Sequence, residues 1–314
     1  MSKSNMRAGY KELVVSSSHD LNYKQKVFRE IAFEAELDRH IVPECEDQAR
    51  MQCGEEPDNR WNAVKELRNL ILERGECNPP RLDDAFLLRF LRARRSVPAR
   101  AHRLLVRYCK FREENPELWK GVYWYGLARL GDIFEGVLYD RPDVGRLIIA
   151  RLGQWNPDVF PADDLVRGCL LLLEVGIMQP KLQVLGGTAI LDCEGMTLKH
   201  MRQLSPSIAV KVMNVMGFAF PLHQRGVHIV NCSRVLEKLF YLFRRFAPAS
   251  DLWDKVFFHR ENYVSLQKHI DPECLPERYG GFRQSVTLGE WLTAIKMYKR
   301  DDFDADISSI GYAI

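Results

Sequence analysis

The stretch that decides the fold reads GGTAILDCEG (186–195), then SPSIAVKVMNVMGFAFP (205–221), then RGVHIVN (225–231). TAILDC (188–193) is an apolar run that ends in acid and glycine. VHIVN (227–231) is a second, ending in asparagine. Between them Ser205 caps a helix with Pro206 in its first turn, where the missing N–H of proline has no partner to lose. Strand, helix, strand with both strands apolar describes a parallel pair buried on both faces. The helix between the strands and the helix after them are far more apolar than a simple scaffold needs.

Outward from this unit the pattern continues. EGVLYD (135–140) and RLIIARL (146–152) flank RPDVG, a turn by composition, and read as a hairpin. Asp163 or Asp164 caps a helix to about 178 that is apolar nearly all round and therefore buried. Downstream come a long helix from about 233 to 246, a last strand KVFFHR (255–260) and a helix YVSLQKHI (263–270). Strands alternating with helices predict an α/β fold with a mostly parallel sheet and flanking helices. Before residue 120 the pattern is helical. WNAVKELRNLILERG (61–75) aligns Val64, Leu67, Leu70 and Ile71, with Gly75 as its stop. Asp83 or Asp84 caps AFLLRFLRARR. Ser96 and Pro98 open a helix with Ala101, Leu104, Leu105, Tyr108 and Phe111 at helical spacing.

The predicted organisation is an extension over 1–59, partly helical or disordered, a three- to four-helix module over 60–120, an α/β domain over 121–285, and a tail over 286–314 with a short helix. Within the extension, 24–41 reads as an amphipathic helix and 43–59, polar and acidic, as a linker.

The chain has 314 residues, 46% of them hydrophobic, enough for a sizeable core. A net charge of +3 and a pI of 8.4 are too mildly basic for a dedicated nucleic-acid binder. Eight cysteines without a CxxC pair read as reduced thiols of a cytosolic protein. MSKSNMRAGY has no apolar core of a signal peptide, and CLLLLEVGIM (169–178) contains an acid and is too short for a membrane span. There is no GxSxG, Walker loop or HExxH. Gly186 and Gly187 precede a strand rather than follow one, so a dinucleotide loop does not fit. His200 and His228 are isolated. Cys193 lies between Asp192 and Glu194, whose charges disfavour its thiolate. No catalytic residue, metal site or cofactor is expected.

Four segments in consistent order carry a resemblance. DDAFLLRFLRAR (83–94), ILDCEG (190–195) with His200, FPLHQRGVHIVN (220–231) and LPERYGG (275–281) look like the N-terminal helical signature, central strand, pre-lid strand and closing motif of the CRAL-TRIO lipid-transfer family, most closely its tocopherol-transfer-protein branch. The similarity covers about 60–285. It implies a non-enzymatic carrier that holds one hydrophobic molecule, such as a tocopherol, a retinoid or another isoprenoid-like lipid, in an apolar pocket under a mobile lid. It also implies a basic cleft for phosphoinositide head groups, and a cytoplasmic protein that visits endosomal or other phosphoinositide-bearing membranes. A phosphoinositide-binding regulator of membrane trafficking, recruiting a protein partner through the N-terminal extension, is the alternative reading.

An enclosed alkyl chain gains ~0.8 kcal/mol per methylene, so a carrier needs more inward apolar residues than its own packing consumes. The candidates are Val166, Cys169, Leu170 and Leu173 on one helix, Val212, Val215 and Met216 on the next, and Leu191, Val227 and Ile229 on strands. Most match pocket positions of the family. Cys169 stands where tocopherol-binding relatives place serine. In SRVLEKLFYLFRRFAP (233–248), Val235, Leu239, Leu242, Phe243 and Phe246 form an apolar stripe widened by Leu236 and Phe240. Arg234, Lys238, Tyr241 and Arg245 run opposite. Such a helix suits both a pocket lid and an anionic bilayer surface. The family's cleft cations match Arg94 and Arg225, and Lys255 after a one-residue insertion. His223 stands where a lysine is usual, with Arg244 and Arg245 as compensating charges. Guanidinium forks suit phosphate because they donate parallel hydrogen bonds. By helical spacing Arg94 sits at the edge of the apolar stripe of its helix, with Arg89 and Arg92 projecting further round.

Overall fold

The computed structural model describes residues 43–137, 145–244, 253–299 and 303–314. At its centre is a six-stranded sheet of β1 (Phe134–Val137), β2 (Arg146–Arg151), β3 (Gly187–Asp192), β4 (Gln224–Val230), β5 (Val256–Arg260) and β6 (Ser285–Thr287), in the order β5-β4-β3-β2-β1-β6. Strands β2 to β5 are parallel, and β1 runs antiparallel to both β2 and β6. The hairpin and the strand–helix–strand unit expected from the pattern are both present. The amphipathic segment 24–41 lies outside the described residues.

The helices are α1 (Pro43–Cys53), α2 (Arg60–Arg74), α3 (Asp84–Arg92), α4 (Pro98–Glu114), α5 (Ala162–Met178), α6 (Pro180–Leu185), α7 (Leu198–Gln203), α8 (Pro206–Met213), α9 (Arg234–Phe243), α10 (Tyr263–Gln267), α11 (Leu288–Tyr298) and α12 (Phe303–Ser309). Local chemistry sets several starts. Asp83 accepts the Phe86 N–H at 3.0 Å, Ser205 that of Ile208 at 3.2 Å and Ser233 that of Leu236 at 3.3 Å, each satisfying an orphan donor of the first turn. Helix α5 differs from expectation: it begins after Pro161, and Asp164 is instead buried between Arg129 at 2.9 Å and Arg167 at 2.5 Å.

Strand alternation divides the sheet into two faces. Leu147, Ile149, Ile190 and Val230 pack with Leu266, Leu275 and Tyr279 on one. On the other, Ile148 lies opposite Ala189 and then Val227 and Val256, while Ala150 lies opposite Leu191, Ile229 and Phe258. This second face is covered by α5, α8 and α9. Gly186 adopts φ +73°, and a Cβ there would collide with the His223 carbonyl. Glycine thus lets the loop before β4 lie against the start of β3.

Two expectations are corrected. Residues 43–53, read as linker, form α1, because Cys45, Ala49 and Cys53 recur at helical spacing and pack on Val184 and Leu185 of α6. The segment from 286 is no tail: β6 extends the sheet, and Trp291, Ile295, Phe303, Ile307 and Tyr312 enter the core. Its hydrophobic spacing serves a surface that exists only once β1 is in place.

Charges are buried where the helical module meets the sheet. Arg89 and Arg92, expected to project outward, are buried, because α3 is packed on both sides. Arg92 donates to both oxygens of Glu55, at 2.6 and 3.1 Å, and to Gln183 Oε1 at 2.6 Å, while Arg60 also pairs with Glu55. Glu174 of α5 lies 3.6 Å from Arg112, and desolvation pushes its carboxyl above the usual range. Removing one partner of such a cluster strands the others. Glu55→Ala should lower unfolding stability by about 3–5 kcal/mol in a denaturant titration. A loss below about 1 kcal/mol, the scale of a surface pair, would show that the cluster does not clamp the two parts.

Candidate functional site

The pocket candidates converge on the covered face. Val166, Leu170 and Leu173 of α5 are buried, as are Val227 and Ile229. After α8 the helix widens into one π turn over Asn214–Phe218, which turns Val215 and Met216 inward. Val212, at 36% exposed, lies outside this packed set.

Ile148 and Leu191 on the strands, Cys169 on α5, Ile208 on α8 and Leu222 before β4 pack against the core but are only partly buried, and Ala189 is partly buried as well. The Cys169 thiol among them is pushed up to about 12 by burial. Ile148 and Ala189 were not singled out from sequence. The alternation of RLIIARL and TAILDC carried the signal, and only the register of β2 with β3 aligns it.

Helix α9 closes this face at β4 and β5. Leu236 and Phe240, one turn apart, point inward with Ile229, Cys193, Cys232 and Phe258. The Phe240 ring meets that of Phe258 edge-on at 5.8 Å. Leu239 and Phe243 fall on the same helix. Val235, expected on the covering stripe, is instead 65% exposed, and Leu242 is 46% exposed. The apolar residues of α9 extend more than halfway round, so one side turns outward beside Lys238 and Arg234. A Glu237–Arg260 ion pair at 2.9 Å ties the helix to the end of β5. Being surface-exposed, it contributes about 0–1 kcal/mol, a weak latch. Beside the first turn of α9 an open cleft of about 350 Å³, lined by Glu194, Asn231, Ser233 and Glu261, is polar rather than oily.

The cations gather at the opposite end of the strands. His223 is held at about 4 by desolvation and by Lys255, Arg225, Arg94 and Arg95 around it. Arg94 is lowered to about 10 by burial and by Arg107. Their donors reach backbone and amide oxygens: Arg94 to the Ala93 carbonyl at 2.8 Å, Arg225 to the Leu185 carbonyl and to Gln52 Oε1 at 3.4 Å, and Lys255 to the Gln224 carbonyl at 2.7 Å. Arg244, at the end of α9, stands over the Trp253 ring at 5.5 Å, two residues before Lys255. Arg245 lies outside the described residues. Arg95 joins the group through a turn in which it takes φ +56°, which helical spacing gave no means of seeing.

His200 and His228 have structural partners. His200 accepts the Thr197 N–H at 3.0 Å and donates through Nε2 to the Trp155 carbonyl at 2.7 Å. His228 bonds His259 at 2.9 Å on the sheet face away from the pocket. Cys193 is raised by its bond to Cys232, by burial and by Asp192, which leaves little thiolate.

A proton titration followed by NMR should place the His223 midpoint near 4, and Lys255→Ala should raise it. The folded value lies below the ordinary 6.5, so the unfolded chain takes up this proton first. The corresponding stability is complete above pH 6.5 and is lost as pH falls toward 4. An ordinary midpoint would mean the cations do not converge on His223.

The CRAL/TRIO domain family matches residues 137–281. Clavesin-2 of Homo sapiens is 31% identical over 282 residues, 88% of this chain and 86% of that protein. Clavesin-1 of Mus musculus is 34% identical over 259 residues, 81% and 73% of the two chains. The crystal structure of Sfh5 aligns at 15% identity and a TM-score of 0.45 over 72% of this chain and 88% of that one. Identity at this level over most of both clavesin sequences means that the chain belongs to the CRAL/TRIO family.

Proposed function

We propose that this protein is a non-enzymatic carrier of one small hydrophobic molecule, of tocopherol, retinoid or other isoprenoid-like type. The cargo lies between the covered sheet face and α5, α8 and α9, with α9 as the lid. The observation that carries this reading is the set of half-buried apolar side chains beneath a helical roof, with the Cys169 thiol desolvated among them. Among the described residues no helix is long and apolar enough to cross a membrane. The proposed docking is therefore peripheral. Phosphoinositide head groups would enter among Arg94, His223, Arg225 and Lys255, and the outward Val235, Leu242, Lys238 and Arg234 of the lid would meet the bilayer. Residues 60–120 act in this reading as the module that presents Arg94, and 121–285 as the carrier domain. The protein would be cytoplasmic, with transient attachment to endosomal or similar membranes.

The cation group also favours a second reading, a phosphoinositide-binding regulator of trafficking with residues 1–59 recruiting a partner, because it stands apart from the pocket. Native purification, organic extraction and mass spectrometry separate the two. A stoichiometric isoprenoid-like ligand supports the carrier. Phosphoinositide alone, with pocket-filling substitutions leaving function intact, supports the regulator.

Leu173→Trp should abolish ligand uptake while the melting temperature stays close to that of the parent, and normal loading would remove Leu173 from the pocket. Arg94→Ala combined with Arg225→Ala should weaken binding to phosphoinositide liposomes about tenfold or more, since each charge-assisted contact contributes ~1.5–3 kcal/mol, with ligand retention unchanged. Equal liposome binding at low salt would remove the cleft from the account.

A further inference from the structure

The helical module holds two cysteines in contact. Cys77 lies in the stretch between α2 and α3, and Cys109 lies on α4. Their side chains are hydrogen-bonded to each other. Cys109 is 4% exposed and belongs to the main core, while Cys77 packs against that core and is only partly buried. Its chain neighbours Glu76 and Asn78 are exposed, so small solutes reach this stretch from water.

All eight cysteines fall within the described residues, and Cys77 and Cys169 are the two that are partly exposed. Their chemistry differs. The Cys169 thiol is pushed up to about 12 by burial and holds almost no thiolate. At Cys77 the hydrogen bond from Cys109 holds the thiol below its ordinary value, against burial and the nearby Glu76 and Glu113 carboxylates. The same bond and burial raise Cys109. The thiolate is the nucleophile in sulfur chemistry. The more exposed sulfur of this pair is thus the one that carries charge, and a protonated thiol lies within its reach. Cys193 and Cys232 are bonded in the same way, but both are buried, at 3% and 4% exposed.

We propose that Cys77 and Cys109 are a reversible redox site, closed to a disulfide by a hydroperoxide. The Cys77 sulfur attacks the terminal peroxide oxygen and the O–O bond breaks. Cys77 becomes a sulfenic acid, and the departing oxygen takes up the proton that left the Cys77 thiol. The Cys109 sulfur then attacks the Cys77 sulfur. The S–S bond forms, the S–O bond breaks, and the hydroxide leaves as water with the Cys109 proton. Two thiols have lost two electrons, and the hydroperoxide has been reduced to an alcohol, or to water where it is hydrogen peroxide, plus water. A dithiol reverses the bond by exchange. The closed loop would contain α3 and the turn that carries Arg94. Both cysteines precede residues 137–281, so the match to the family does not supply them. The proposal stands whether or not the protein carries a lipid.

The test treats the fully reduced chain with increasing hydrogen peroxide, alkylates the remaining thiols, and maps every cysteine by mass spectrometry after proteolysis. A peptide pair joined through Cys77 and Cys109 should appear before any other cysteine loses its alkylation, and dithiothreitol should separate it. In Cys109→Ala the link should be lost and Cys77 should be trapped by dimedone as a sulfenic acid. In Cys77→Ser the Cys109 thiol should stay reduced. If either variant fails to fold, the map of the parent decides. Cys77 and Cys109 both still alkylated while other cysteines have reacted overturns the site. So does oxidation of Cys77 to a sulfinic acid while Cys109 in the folded parent remains a thiol. The oxidised chain should also melt above the reduced one, because the link restricts the unfolded chain. Melting at or below the reduced chain would mean that the native positions do not accommodate the bond, and would overturn the site as well.

Discussion

A parallel sheet needs both faces shielded from water. On one face Ile148 and Leu191 pack against the core beneath the covering helices and stay only partly buried, as does Ala189 in register with Ile148. The covering helices are also fixed at their margins. The buried Arg92–Glu55–Arg60 cluster, the Glu174–Arg112 pair and the returning C-terminal segment do this. Buried ion pairs are weak sources of net stability, so their use here fits fixing position better than adding strength.

The same framework places the cations and α9 on one crossover. Helix α9 leaves the end of β4 and returns to the start of β5. His223 and Arg225 flank the start of β4, and Lys255 immediately precedes β5. The far end of α9 lies near the basic group, where Arg244 stands over Trp253. Its near end is held by the exposed Glu237–Arg260 pair.

Much of this was legible in sequence because strand alternation, capping residues and helical stripes are local. The hairpin, the β3–α8–β4 unit, the cap Ser205 and a cap at Asp83 or Asp84 all follow from neighbours a few residues apart. The errors share one origin. Helical spacing showed that α9 has a broad apolar surface but not which part faces the sheet, so Val235 was assigned inward where Leu236 and Phe240 point in. Arg94, placed by spacing at the edge of its helix's apolar stripe, lies in the turn beyond the helix end at Arg92, and spacing could not show that Arg89 and Arg92 are covered by other elements. Residues 43–53 looked polar because only Cys45, Ala49 and Cys53 meet α6.

By itself the amino-acid sequence determined the order of elements, the parallel core of the sheet and the excess of apolar residues around it, since each depends on the intrinsic preferences of short segments. Only the tertiary structure decided that the C-terminal segment builds an edge of the sheet, that three separate stretches bring cations around His223, and that the Arg146 guanidinium lies against the Trp291 ring. Those facts depend on distances between residues far apart in the chain, and chain periodicity carries no measure of such distances.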